Sequence, residues 1–111
     1  MADPAQVTVE DEDSQRIYRL VVGGKIVSTA RTLESILLTI GTVAEERGKG
    51  YATTLLHHIE EGARSRGAKS LQTSDIDSDD VAAVGFFKQN GYVLEPIPGQ
   101  DGFLEGTRSL V

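Results

Sequence analysis

Ser35-Ile36-Leu37-Leu38-Thr39-Ile40-Gly41-Thr42-Val43-Ala44-Glu45-Glu46-Arg47-Gly48-Lys49-Gly50-Tyr51-Ala52-Thr53 is the passage on which the fold turns. Its first half, Ser35 to Val43, is an almost unbroken apolar run of strand length, which predicts a β-strand buried on both faces and central in a sheet. Its second half sets two glycines and two cations where the periodicity changes. Ala52, Leu55, Leu56, Ile59 and Ala63 recur at the 3.6-residue spacing of a helix. A helix over Lys49 to Arg66 is therefore predicted, with Glu60 four residues before Arg64 on its outer face and Gly67 as its C-terminal cap.

Upstream, Arg16 to Val22 and Lys25 to Arg31 are rich in Ile, Val, Leu and Thr and flank Gly23-Gly24. That dipeptide tolerates the positive φ angles of a two-residue hairpin turn, so the two runs read as antiparallel strands. Downstream, Ser70 to Ser74 is a short strand, and a second helix runs from about Asp79 to Asn90 with Ser78 as N-cap and Gly91 at its end. Ala82, Ala83, Val84, Phe86 and Phe87 cover most of that helix's circumference, which predicts burial on more than one side. Tyr92 to Glu95 and Phe103 to Leu110 complete the chain as strands. The fold class that follows is a mixed α/β (α+β) sheet, antiparallel strands followed by β-α-β-α-β with helices on the sheet faces. The helical crossover makes Ser70 to Ser74 parallel to Ser35 to Val43.

With 111 residues, 39% hydrophobic and 25% charged, the chain suits one core and not two. Its net charge of −6 is a poor balance for neutralising phosphates along a nucleic acid, so nucleic acid is excluded as the main partner. Asp3, Glu10, Asp11, Glu12 and Asp13 fall within residues 1–13, which hold no Lys or Arg. Residues 1–13 therefore read as a solvated, unordered acidic arm, and 14–111 as a single domain. No run approaches the roughly 18 apolar residues of a membrane span, and the start lacks the basic and apolar segments of a signal peptide. These features predict a cytoplasmic protein without a membrane partner. The absence of cysteine removes disulfides, thiolate metal sites and a Cys nucleophile together.

The turn at Arg47 to Thr53 is where chemistry fits. Unpaired N–H groups point out of a helix N-terminus, the helix dipole favours an anion there, and glycine lets phosphate oxygens approach the main chain. An ordinary glycine-rich turn is the plainer alternative. The nucleoside-triphosphate loop is excluded because Gly50, not Ser or Thr, follows Lys49, and the dinucleotide fingerprint is absent as well.

Arg47, Gly50 and Ala52 fit the pattern of Gln or Arg, two residues, Gly, one residue, then Gly or Ala. With Ile40-Gly41-Thr42-Val43 entering it, Leu55-Leu56 following, and Ala83 to Tyr92 similar to a second conserved block, the chain from about Ile36 to Leu94 resembles the GNAT superfamily of acyl-CoA-dependent N-acetyltransferases. The resemblance implies transfer of an acetyl group from acetyl-CoA to a primary amine on a small molecule or peptide, without a metal. It implies that main-chain N–H groups of Gly48, Lys49, Gly50, Tyr51, Ala52 and Thr53, beside Arg47, hold the coenzyme A pyrophosphate. The exposed edge of Ile40, Gly41 and Thr42 would pair with the pantetheine amides. Two positions depart from the family pattern: its usual helix-start Asn falls on Asp80, and its usual Tyr falls on Phe87. The Tyr hydroxyl is the usual candidate for protonating the departing thiolate, and a phenyl ring has no proton to give. A catalytically silent acyl-CoA-binding module is thus the alternative to an enzyme. The general base is open between Glu34 and Asp75. The chain is also short before its central strand, so a wall of the acceptor site falls to the Pro96 to Gly102 loop, to a second copy in a homodimer, or to nothing.

Other groups have plainer readings. His57 and His58 point about 100° apart on a helix and read as solvated residues. Asp75, Asp77 and Asp79 open like a calcium loop, but Asp80 and Phe86 stand where that loop needs Gly and Glu. The acidic run favours a helix N-terminus, or else attracts a cationic amine. Tyr51 and Tyr92 read as core packing.

Overall fold

A computed structural model of the chain describes residues 5–111. Its sheet has seven strands: β1 (Ala5–Glu12), β2 (Gln15–Val22), β3 (Lys25–Leu33), β4 (Ile36–Thr42), β5 (Ser70–Asp77), β6 (Val93–Pro96) and β7 (Phe103–Ser109). They lie in the order β1-β2-β3-β4-β5-β7-β6. Every neighbouring pair is antiparallel except β4 and β5, which are joined by the helix α1 (Tyr51–Ser65) and run parallel, as the crossover requires. A second helix, α2 (Val81–Gln89), links β5 to β6. Leu55, Leu56, Ile59 and Ala63 of α1 and Phe87 of α2 share one core with Leu20, Ala30, Leu37 and Leu71 of the sheet. Both helices therefore pack on the same face of the sheet.

The strand β1 corrects the expectation of an unordered arm; only residues 1–4 of that arm lie outside the described residues. Two of its three acidic residues are paired across to β2: Arg16 donates to Asp11 and Arg19 to Glu10, each at 2.9 Å. A two-residue turn at Asp13 and Ser14, both with positive φ, closes the hairpin in the backbone shape that matches strand twist.

Three further expectations change. β4 is not buried on both faces: Leu37 is buried, while Ile36 and Leu38 are 37% and 39% exposed. The cause is that Ile36 and Leu38 point to the face opposite Leu37, which neither helix covers, and the pairing of β4 with β5 is itself confined to Ile36 with Gln72 and Leu37 with Thr73. Beyond these residues the two strands part. α2 starts later than predicted, and its cap is Asp80, whose carboxylate accepts from Ala83 N at 3.0 Å; Ser78 N instead donates to Gly102 O. Only Phe87 of this helix is buried, so it is covered on one side. Glu60, assigned to an outer face beside Arg64, is buried at 3% exposure. It accepts from Tyr92 Oη at 2.8 Å and from Arg108 Nη1 at 2.6 Å, while Arg64 pairs with Glu61. Burial, together with the Glu60 carboxylate alongside, raises the Tyr92 hydroxyl well above its usual pKa, so it is a lasting proton donor to Glu60.

Candidate active site

The separation of β4 from β5 is the organising feature. Val43 N donates to Val27 O at 2.9 Å, which sets the phase of the β3–β4 ladder. Because backbone groups alternate sides along a strand, Gly41 directs its N–H and C=O to β3, while Ile40 and Thr42 direct theirs into the gap. Along the Ile40 to Thr42 edge, alternate residues therefore face the gap. The Thr42 carbonyl also accepts from Arg47 Nε at 3.3 Å. That leaves Ile40 as the residue with both backbone groups facing the opening.

β5 contributes to the gap through an irregularity. Its register with β7 shifts between Thr73 and Ile76, and Asp75 takes a left-handed φ of 60°. Asp75 lines a cavity of about 310 Å³ in the gap with Leu38, Ile40, Asp77, Asp80 and Phe87 among its other walls. Asp77 Oδ1 accepts from Asp79 N, and the Asp80 carboxylate is spent on its helix cap, so two of the three acids are held by main chain. Phe87 stands edge-on to Phe86 and Tyr92, with ring centres 5.1 and 5.3 Å away.

The glycine turn adjoins this cavity. Gly48 and Gly50 take φ of 83° and 81°, a conformation that favours glycine, and Gly50 caps α1 without any side-chain hydrogen bond to the helix start. The first-turn N–H groups are left free by helix geometry and point outward. Gly41, Thr42, Arg47, Gly48, Gly50, Tyr51, Ala52 and Thr53 all line one cavity of about 370 Å³, closed on the far side by Ala82 and Phe86 of α2. Lys49 does not line it. Its ammonium donates to Glu46 at 2.7 Å, and Lys25 reaches the same carboxylate at 3.3 Å. Lys49 first and Lys25 second lower the Glu46 pKa, and Glu46 in turn raises that of Lys49. The anion-attracting element here is consequently backbone rather than a free lysine.

The other candidates separate clearly. Glu34 lies at the β3–β4 turn, before β4 begins, in a different cavity with Asp11, Arg16 and Arg66. It is not brought together with the glycine turn. His57 and His58 are both exposed, His58 standing edge-on to Tyr18 at 6.3 Å, and neither lines the gap. Residues 96–102 form a turn, with Ile97 N donating to Phe103 O, and line neither cavity. Among the described residues no three His, Asp or Glu side chains form a group able to hold a metal, and no helix is long and apolar enough to cross a membrane. Sequence reasoning missed the buried Glu60 group. Its signal was present, since Glu60 follows Ile59 and stands four residues after Leu56 on the edge of the apolar stripe.

The sequence profile of the Acetyltransferase (GNAT) family matches residues 4–92. The chain belongs to that family. Among solved structures, the PaiA N-acetyltransferase of Thermoplasma acidophilum in complex with coenzyme A superposes with a TM-score of 0.76 at 14% identity. That match covers 86% of this chain and 61% of the other, so the chain spans less than two thirds of that enzyme's length. Nourseothricin acetyltransferase matches at a TM-score of 0.74 and 15% identity, covering 100% of this chain and 87% of its own. The ribosomal-protein-S18-alanine N-acetyltransferase of Escherichia coli gives 0.73 and 16%, covering 90% and 72%. At these identities the superpositions establish the GNAT fold. No curated protein matches the chain by sequence.

Proposed function

We propose that the chain binds acetyl-CoA and transfers its acetyl group to a primary amine. The observation that carries this reading is the parting of β4 from β5 beside a helix start whose N–H groups no side chain caps. The free donors around Gly48 to Thr53 suit a pyrophosphate, and the unpaired backbone of Ile40 with the Thr42 N–H suits an amide-bearing chain lying along β4. Acetyl-CoA supplies a thioester whose carbonyl carbon accepts an amine lone pair, the C–N bond forming as the C–S bond breaks.

Within this reading, each neighbouring side chain has a limited role. Asp75, facing the gap on a strained backbone, is the candidate to take a proton from the acceptor's ammonium form, directly or through water, and so free the lone pair that attacks; Glu34 stands elsewhere. With Asp77 beside it, the gap favours a cationic amine over an anionic one. Phe87 cannot protonate the departing thiolate, so water or another side chain does so, and turnover is slow. Orientation and hydrogen bonds to the developing oxyanion supply the rest of the acceleration.

The test combines calorimetric titration with coenzyme A and measurement of free thiol released from acetyl-CoA in the presence of a panel of amines. Binding with amine-dependent thiol release supports the enzyme. Binding without release for any amine favours the silent module, the reading to which Phe87 lends weight. Absence of binding removes both.

A further inference from the structure

Both helices lie on one face of the sheet, and among the described residues no helix covers the other. Alternation along the strands settles which side chains stand on that open face. Leu37, Leu71, Leu94 and Leu104 pack into the helix-side core, so their strand neighbours Ile36 and Leu38, Gln72, Val93 and Glu95, and Phe103 and Glu105 point the other way. Leu33 joins them as the cross-strand partner of Ile36, and Arg31 as the neighbour of the core residue Ala30. Leu33, Ile36, Leu38, Phe103 and Val93 are between 36% and 64% exposed. Apolar groups gathered on one surface and rimmed by polar ones mark an interaction site.

The charges on this face are sorted by strand. Arg31 stands on β3, Glu105 and Glu95 on β7 and β6, and uncharged side chains of β4 and β5 lie between them. Glu95 and Glu105 are direct cross-strand partners, an arrangement in which like charges repel, and among the described residues neither has a salt bridge. Arg31 has no carboxylate partner there either, and its guanidinium donates to the neutral Gln15 Oε1 at 3.3 Å. The two flanks are also level. Leu33, Ile36, Gln72 and Thr107 form one row across four strands, and Arg31 and Glu105 each stand two residues from that row on the same side.

We infer that the open face is where a second copy of this chain docks, the two sheets stacked about a two-fold axis that runs between them, parallel to the strands and over the space between β4 and β5. Such an axis exchanges left and right across the sheet and keeps height along the strands, so β3 of each copy lies over β7 of the other. Arg31 then meets Glu105 twice, once on each side of the axis. Face-to-face sheets stand about 10 Å apart, a separation that an arginine and a glutamate reaching towards each other can bridge. A cationic peptide would satisfy the glutamates and leave Arg31 unpaired. Only a partner with both charges in reversed order satisfies both flanks, and a second copy provides that by symmetry. The docking does not depend on the acetyl-CoA reading, although Leu38 also lines the gap cavity, so the second copy stands over one wall of it.

The test is the mass of the whole chain by sedimentation equilibrium over a range of concentrations. The native chain is expected to dimerise. Arg31→Glu sets two carboxylates together at each contact and Glu105→Arg two guanidiniums, so each variant alone should raise the dissociation constant at least about tenfold. Mixed in equal amounts, the two variants should pair as a heterodimer, because every contact then joins a carboxylate to a guanidinium. Glu105→Arg also removes the repulsion from Glu95 within its own chain, so a loss of association there is not a loss of fold, and thermal melting checks each variant. Ile36→Lys touches neither charge, keeps an exposed position, and should weaken the dimer as well. A native chain that is monomeric at every concentration, a dimer indifferent to any of the three substitutions, or two dissociated variants that fail to pair on mixing overturns the docking.

Discussion

Gly50 offers a way to separate backbone strain from blocking of a ligand. It takes a φ of 81° at the cap of α1, and a Cβ built there meets no protein atom within 4 Å. In the free protein, Gly50→Ala therefore has no steric cost beyond the left-handed conformation itself, about 1–2 kcal/mol. For a domain of this size that lowers the melting temperature by roughly 4–9 °C. Gly50→Asn should lower it less, because asparagine tolerates this conformation better than alanine. Coenzyme A binding should rank the variants differently. If phosphate oxygens approach the main chain at Gly50, any side chain occupies their space, and asparagine is the larger of the two. The assay is calorimetric titration with coenzyme A beside thermal melting in its absence. Both variants are expected to lose at least tenfold in affinity, with Asn no better than Ala despite its smaller loss of stability. Native affinity in Gly50→Asn would refute the close approach and return the turn to a purely structural role.

Phe87→Tyr places a phenol at the edge of the gap cavity, and general acid catalysis contributes about 10² to 10⁴-fold, so amine-dependent thiol release should rise towards that range at unchanged acetyl-CoA affinity. A slower variant that still binds acetyl-CoA would show that the acid acts from elsewhere. Tyr92 stays protonated in the fold at a pH where a free tyrosine ionises, so above about pH 10 the unfolded state holds fewer protons and stability falls as pH rises. Denaturant titrations of native chain and Tyr92→Phe should differ in slope by up to about 1.4 kcal/mol per pH unit above pH 10, and equal slopes would mean the hydroxyl is not held by Glu60. At Gly106 an added Cβ would stand 2.8 Å from Leu94 Cδ2 and 3.2 Å from Thr73 Cγ2. Gly106→Ala should therefore cost about 1–3 kcal/mol by overpacking, read as a lower urea midpoint, and an unchanged midpoint would show that β6 yields freely.

How much of this could be read from the sequence depends on how far apart the interacting residues are. The apolar run of β4, the glycine turn and the stripe of α1 all declare themselves within about thirty residues, because periodicity and turn chemistry are local. The gap does not. It exists because β5 leaves β4 after Leu37 and Thr73, and nothing within either strand says how many rungs their ladder will have. The Glu60 group fails for the same reason, since Tyr92 and Arg108 lie 32 and 48 residues away. β1 is hidden by composition: four carboxylates near the end of that segment mask the alternation of Val7 and Val9, and two of them, Glu10 and Asp11, are offset by arginines of the next strand.

The same contrast separates what main chain and what side chains supply in the proposed site. What the gap and the turn would present to an acyl donor is main chain: the unpaired groups of Ile40, the N–H of Thr42 and the first turn of α1. Such groups persist through almost any substitution that keeps the strand, the glycines and the helix start. Asp80 illustrates this tolerance, for a carboxylate caps the helix as an amide would. Phe87 illustrates its limit, because no backbone group can replace a phenol as proton donor. On the acetyl-CoA reading, binding should therefore be robust to surface mutation, while the rate should depend on one aromatic position in α2, and thiol release from Phe87→Tyr measures that dependence directly.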